Sequence, residues 1–272
     1  MLDKLKIGFI GCGKVAKAFI GGFENSKAVP LANITVSSPL EDDLTWARSK
    51  SIACSKKNSD VVKASQIIFL AVLPDMICDI VMKIREFLTH NHILISVAAG
   101  VKLEKLSEIS GNMKLCRVML NLQIQSGVGT MALCGGPNCS DDDIGMIKKL
   151  LTLLGFCIEL PENNFDAFTA LAGSGPAFIY GVIESLAEGA VLNGIPRQTA
   201  IEIATHMVMG AGTHAWKNID KYHPCQLREA VCTPGGSSIR GMRALENAGF
   251  RSAFISAIDE AVKRNVELGK RT

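Results

Sequence analysis

The sequence predicts an α/β protein, with a doubly wound, mostly parallel sheet over its amino-terminal part and an all-helical part after it. Three observations carry that prediction. From Lys6 to about Leu160, short β-rich apolar runs alternate with helical stretches, as in parallel strands joined by crossover helices and covered on both faces. The first run leads straight into a two-glycine turn, Gly11-Cys12-Gly13. Beyond Gly173 the strand signal vanishes and long helical patterns take over.

In order, the expected strands are residues 6–10, 34–37, 67–72, 93–97, 115–119, 129–133 and 156–160. Each is a mostly apolar run of strand length, and the runs at 6–10, 34–37, 67–72 and 93–97 are rich in β-branched residues. Helices are expected over about 174–193, 196–216 and 250–269. Gly194-Ile195-Pro196 marks a stop and a restart, because glycine ends helices readily and proline suits a first helical position. Phe178, Ile179, Val182, Ile183, Leu186 and Ala190 recur at helical spacing, with Glu184 and Glu188 among the more polar positions. That is more apolar surface than one helix of a small isolated domain needs, which fits helix exchange within a dimer. The expected domains are 1–162 for a dinucleotide and 163–272 for dimerisation and substrate.

Composition narrows the function classes. A chain of 272 residues with 48% hydrophobic and 20% charged residues is globular and large enough to bury a substantial core. The net charge of +3 is small and its cations are scattered, which disfavours nucleic acid as a partner. The nine cysteines form no C-x-x-C pair, so they read as reduced thiols, and no metal site is expected. No secretory signal is expected ahead of the first strand, and no segment is seen to approach the roughly 20 apolar residues of a membrane span. The expectation is a cytoplasmic protein, with mitochondrial association left open.

The segment Ile7 to Ala16 reads as a buried strand, a turn and the start of a helix, in the form G-x-G-x-x-A. Gly11 permits the tight turn, Gly13 lets a pyrophosphate approach the backbone, and Ala16 lets helix pack closely on strand. Unpaired N–H groups at the helix start, through Cys12, Gly13, Lys14 and Val15, suit phosphate oxygens. The structural alternative is a plain connector, but the position after the first strand of an alternating pattern favours dinucleotide binding. The second strand ends in Ser37-Ser38-Pro39 and lacks the acidic residue that would hold a ribose 2′-hydroxyl, which tilts the expectation to NADPH, with NADH possible. Ser37 and Ser38 could donate to a 2′-phosphate, and Arg48 or Lys50 could add charge. Two further strand ends, Ala71-Val72-Leu73-Pro74 and Ala98-Ala99-Gly100, put small residues where ligands of open parallel sheets lie, although loop closure explains them equally well.

Near the carboxyl end, Leu227 to Ile239 includes Val231-Cys232-Thr233-Pro234-Gly235-Gly236-Ser237-Ser238. A tight turn followed by hydroxyls at a new helix start makes a receptor for a carboxylate, and equally a capped helix-to-helix turn. With Phe69-Leu70-Ala71-Val72, Ser96-Val97-Ala98-Ala99-Gly100-Val101 and Leu171-Ala172-Gly173-Ser174-Gly175-Pro176-Ala177, this segment resembles the pyrroline-5-carboxylate reductases over nearly the whole chain. The resemblance implies a Rossmann-like amino-terminal domain and a helical domain forming an interlocked dimer, or a ring of five dimers. It also implies hydride transfer from NADPH to L-1-pyrroline-5-carboxylate, giving L-proline. On the matching positions, Thr233, Gly235, Gly236 and Ser237 would hold the substrate carboxylate, and Ser237 or Ser238 would hydrogen-bond the ring nitrogen as the catalytic hydroxyl. Glu162 would join the substrate site, and Asn58 and Asn121 the cofactor site. For Glu162 and His223, a surface or helix-start role fits equally.

Several positions depart from the family pattern. Ser237-Ser238 replaces two threonines, which keeps the hydroxyls. Leu73 stands where relatives carry a lysine, and Leu120 and Gln123 replace two prolines around Asn121. Ala230 replaces a frequent asparagine. These changes keep two rivals open: a reductase of another small cyclic imine, and a dinucleotide-binding homologue with a structural or regulatory role.

Overall fold

The computed structural model describes residues 2–111 and 113–270. The strands are β1 (Ile7–Ile10), β2 (Ile34–Ser37), β3 (Ala53–Ser55), β4 (Ile67–Leu70), β5 (Ile93–Ser96), β6 (Lys114–Leu120), β7 (Gly129–Gly135) and β8 (Gly155–Glu159). They form one eight-stranded sheet in the order β3-β2-β1-β4-β5-β6-β7-β8. Every neighbouring pair is parallel except β6 with β7. The strand order therefore reverses at β1, and the crevice above its carboxyl end is where ligands of open sheets bind.

Seven of these strands match apolar runs in the sequence; β3 was not expected. Ala53-Cys54-Ser55 has no apolar run to announce it, because this edge strand pairs through its backbone with β2 and buries no side chain fully.

Crossover helices cover both faces: α1 (Lys14–Ser26), α2 (Glu41–Ser49), α3 (Asn58–Ala64), α4 (Ile77–Ile84), α5 (Leu103–Ser110) and α6 (Asp141–Leu151). One core lies under α1, where Phe9 stacks on Phe69 at 4.8 Å and Phe19 meets Phe69 at 4.7 Å. The other lies under α3, α4 and α5, around Ile68, Leu70, Val81 and Leu94. β1 and β4 are buried along their whole length, which is why they read as unbroken apolar runs.

Two compact units emerge. One runs to Gly173 and takes in the stretch from Ala261; the other is Ser174–Glu260. The first long helical run begins ahead of the start at 174 expected for it, though within the expected helical domain from 163. A short helix α7 (Phe165–Phe168) widens through a π-type turn at Thr169–Ser174 and continues as α8 (Gly175–Leu192). The glycine-rich motif that starts at Leu171 spans the end of this widened turn and the first residues of α8. The helical run Glu162–Leu192 includes an 18-residue window of mean hydropathy 1.2, long and apolar enough to cross a membrane by length and composition alone. That corrects the sequence expectation that no segment comes near that limit, although the run also carries four acidic residues, Glu162, Asp166, Glu184 and Glu188.

Four further helices complete the chain: α9 (Arg197–Lys217), α10 (Pro224–Val231), α11 (Ser237–Asn247) and α12 (Phe250–Gly269). The second unit buries little of its own apolar surface. α8 and α9 meet through Ala187, Ala200 and Ala204, while α10, α11 and α12 bury no residue among those described. Leu192 is 87% exposed and Ile255 64% exposed.

Candidate functional site

The turn after β1 is shaped by backbone crowding on one side and left open on the other. Gly11 adopts φ 94°, and a Cβ there would lie 2.4 Å from the Ala71 carbonyl oxygen, so no other residue fits. Its N–H donates to the Ser37 carbonyl at 2.9 Å, and Ala71 N–H donates to the Ile10 carbonyl at 2.8 Å, which locks the turn between β2 and β4. At Gly13 nothing comes within 4 Å of the place a Cβ would occupy. Gly13 also caps α1 without any side-chain acceptor, leaving the N–H groups of the first turn available. Ala16 is fully buried against the sheet. These features fit a pyrophosphate laid over Gly13 at the helix start. Cys12 points away into the core, where burial pushes its thiol up to about 11, so it contributes backbone and no ionised sulfur.

At the β2 end, Ser37 and Ser38 are buried and their hydroxyls are engaged within the protein. Ser37 Oγ donates to Asn58 Oδ1 at 2.8 Å, and Ser38 Oγ donates to Asp43 Oδ2 at 2.8 Å. Asp43 also pairs with Lys17 at 2.7 Å. Burial opposes its ionisation, yet the hydrogen bonds from Lys17 and Ser38 outweigh that and hold its carboxyl below the usual carboxylate range. Of the two cations singled out in the sequence, Lys50 pairs with Glu24 at 2.6 Å, while Arg48 pairs with Glu41 at 2.7 Å. Glu41 is shared with Lys56, at 3.1 Å. Lys56 escaped the sequence reading because it follows β3, the strand that the apolar pattern does not announce.

The other strand ends line up beside the glycine turn. Ala71 and Val72 follow β4, and Ala98, Ala99 and Gly100 follow β5, which pairs with β4 in parallel. Pro74 is partly buried beyond them, and Leu73 is 65% exposed. Asn121 ends β6 with both faces of its amide engaged: Oδ1 accepts from Thr130 N–H at 3.0 Å and Nδ2 donates to the Ala172 carbonyl in the π-type turn at 3.0 Å. The loop that lacks prolines at 120 and 123 is thus pinned by this asparagine and closed by Gly127 at φ 73°.

Glu162 turns inward. It accepts from Arg117 Nη1 and from Leu103 N–H, each at 2.8 Å. The Arg117 side chain is 5% exposed and its guanidinium lies 5.0 Å over the Phe165 ring. The arrangement ties β6, the start of α5 and the start of α7 together.

In the second unit, the turn from Cys232 to Gly236 is held by Gly236 N–H donating to the Thr233 carbonyl at 3.0 Å. Gly235 adopts φ 70°, and a Cβ on Gly236 would lie 2.6 Å from Thr233 Oγ1. α11 starts at Ser237 with no side-chain cap, so its first N–H groups, the Thr233 hydroxyl and the Ser237 and Ser238 hydroxyls gather at one exposed corner. That corner offers donors to an anion. His223 is used locally: Nδ1 accepts from Cys225 N–H at 3.2 Å, capping α10.

A reversing parallel sheet with a two-glycine turn at its switch point, followed by a separate helical unit, defines the class of dinucleotide-dependent oxidoreductases. Sequence models narrow it: the family described as "NADP oxidoreductase coenzyme F420-dependent" matches residues 6–100, and "Pyrroline-5-carboxylate reductase dimerisation" matches 162–268. The chain is 36% identical over 266 residues to the pyrroline-5-carboxylate reductase of Pisum sativum, covering 98% of this chain and 97% of that one. It is 35% identical to that of Methanosarcina acetivorans, covering 99% and 100%. The crystal structure of Plasmodium falciparum pyrroline carboxylate reductase with NADP bound superposes with a TM-score of 0.87 at 25% identity, covering 99% of this chain and 100% of that one. This chain belongs to the pyrroline-5-carboxylate reductase family.

Proposed function

We propose that this protein reduces L-1-pyrroline-5-carboxylate to L-proline, the last step of proline synthesis, with NADPH as the reductant. The observation that carries this reading is the turn at Gly11 and Gly13, crowded on the strand side and open on the ligand side, in a chain that matches this family along its whole length. When bound, the reduced nicotinamide supplies a hydride to the C=N carbon of the substrate. The protein's own part is binding, orientation and polar support.

In this reading Gly11, Gly13 and the first N–H groups of α1 hold the pyrophosphate. The corner formed by Asn58, Arg48 and Lys56 faces the adenosine 2′-phosphate, because Ser37 and Ser38 have their hydroxyl protons committed to Asn58 and Asp43. Ala71, Val72, Pro74, Ala98, Ala99, Gly100 and Asn121 flank the nicotinamide half. Thr233, Gly235, Gly236 and Ser237 hold the substrate carboxylate, and the hydroxyl of Ser237 or Ser238 supports the ring nitrogen. No histidine or aspartate is assigned as acid, since an imine nitrogen can enter protonated or take a proton through water. Glu162 is committed to Arg117 and Leu103 within its own unit, so in this reading it braces β6 and the start of α5 and is not a direct substrate ligand.

Residues 1–162 act as the dinucleotide domain and 163–272 as the dimerisation and substrate domain. The chain self-associates, and the exposed apolar residues of the second unit are the surface that an interlocked dimer covers; a ring of five dimers is the larger assembly. A cytoplasmic location fits a biosynthetic reductase. The deciding experiment is initial-rate oxidation of NADPH and NADH with pyrroline-5-carboxylate, with proline measured as product. NADPH-dependent proline formation is expected; normal nucleotide binding without turnover, or turnover of a different cyclic imine alone, would replace this reading.

A further inference from the structure

Of the seven cysteines in the first unit, two lie sulfur to sulfur, and the reductase chemistry uses neither. Cys116 is fixed in β6, between Ile95 of β5 and Gly135 of β7. Cys139 ends the turn that leaves β7, and its Sγ lies 3.6 Å from that of Cys116. The turn is held in place by three hydrogen bonds: Gly136 N–H to the Leu115 carbonyl at 2.7 Å, Cys139 N–H to the Gly136 carbonyl at 3.1 Å, and Cys139 Sγ to the Leu115 carbonyl at 3.1 Å. The two sulfurs are therefore brought into contact by the native fold. A disulfide bond is about 2.0 Å long, and the remaining approach is of the size that side-chain rotation at a turn position supplies.

We propose that Cys116 and Cys139 form a reversible redox site, a dithiol that a hydroperoxide converts into a disulfide clasping the β6–β7 hairpin to the start of α6. The two sulfurs differ as such a step requires. Cys139 is partly exposed and Cys116 is buried. The hydrogen bond from Cys116 lowers the Cys139 thiol below its ordinary range against the opposing effects of burial and Asp143, while that same bond and burial push Cys116 up. Asp143 is itself paired with Lys114 at 2.9 Å, which moderates its effect. By contrast, burial pushes Cys12 and Cys157 up to about 11, which keeps them protonated.

The chemistry balances without any group from the active site. The Cys139 thiolate attacks one peroxide oxygen, forming an S–O bond as the O–O bond breaks, and an alcohol (or water, from hydrogen peroxide) leaves. The Cys116 sulfur then attacks the Cys139 sulfur, forming the S–S bond while water departs with the Cys116 proton. Two thiols lose two electrons and two protons, and the hydroperoxide takes them up. A dithiol reductant reverses the step.

The test is hydrogen peroxide treatment of the full chain, alkylation of remaining thiols, and mass analysis. Expected are a loss of about 2 Da before alkylation, a Cys116–Cys139 linked peptide, and restoration by dithiothreitol. The oxidised protein should unfold about 3–6 °C higher, because the link closes a loop of native geometry. In Cys116→Ser, a dimedone adduct should be trapped on Cys139. Alkylation of both thiols after peroxide, Cys139 overoxidised with no linked peptide, or linkage of Cys116 to Cys134 instead would each overturn the site. Full linkage with an unchanged unfolding midpoint would overturn the clasp. The peptide map of the unmodified sequence decides the first point even if the variant fails to fold.

Discussion

The two turns that serve the proposed chemistry are built in opposite ways. The one at Gly11 sits on strands with no exposed residue and is crowded by Ala71, so packing within its own unit determines its shape. The one from Thr233 to Ser238 is exposed apart from partial cover at Gly236, and is held by a local hydrogen bond in a unit whose last three helices bury nothing among the described residues. In the proposed function, nucleotide recognition is a property of one folded unit, whereas the carboxylate corner depends on what covers the second. A chain that self-associates through residues 162–268 supplies that cover itself.

Mutations can break or sharpen this contrast. The largest effect is expected for Gly11→Ala: with positive φ and a carbonyl 2.4 Å from the new methyl, the amino-terminal unit should lose about 3 kcal/mol or more, read as a shifted urea midpoint. A near-normal midpoint would show that the turn is less constrained than its contacts imply. Glu162→Gln comes next. It leaves Arg117 as a buried cation without its counter-charge, so about 3 kcal/mol of stability should go while the KM for pyrroline-5-carboxylate changes little. A large KM effect with unchanged stability would instead make Glu162 a direct substrate ligand.

Ser238→Ala and Ser237→Ala test the exposed turn. Removing a hydroxyl that serves a charged substrate should lower kcat/KM about 10- to 100-fold for at least one of them. NADPH binding measured by calorimetry should stay unchanged. Gly13→Ala should leave the urea midpoint within about 0.5 kcal/mol, because its methyl would point into open space, yet weaken NADPH about tenfold. Its pairing with Gly11→Ala separates the architectural glycine from the ligand-facing one. The smallest effect is expected for Leu73→Lys at an exposed position, where a restored cation should tighten NADPH roughly threefold at low salt. An equal gain for NADH would leave the adenosine phosphate out of it and point to the shared pyrophosphate.

Much of the fold is legible in the chain because burial on both faces writes itself as apolar runs. β1, β4 and β5 are fully buried and were each located within two residues. β3 was illegible for the converse reason, since a three-residue edge strand held by backbone pairing leaves no apolar trace. The site divides in the same way. Gly11 and Gly13 stand out because few residues tolerate such a turn, so local sterics dictate the residue type.

Partners across the sheet could not be read this way. That Ser38 serves Asp43, that Asn121 braces the Thr130 N–H and the Ala172 carbonyl, and that Glu162 meets Arg117 are matters of groups 5, 9, 51 and 45 residues apart. Hydrogen bonding leaves no periodicity, so these pairings emerge only when the strands are laid side by side. By itself the sequence determined a parallel sheet, a phosphate-binding turn and a helical second half, because backbone sterics and burial act on residue type position by position. Only the tertiary structure decided which polar groups are spent inside the protein and which remain for a ligand, because that depends on distances between segments that the order of residues does not encode.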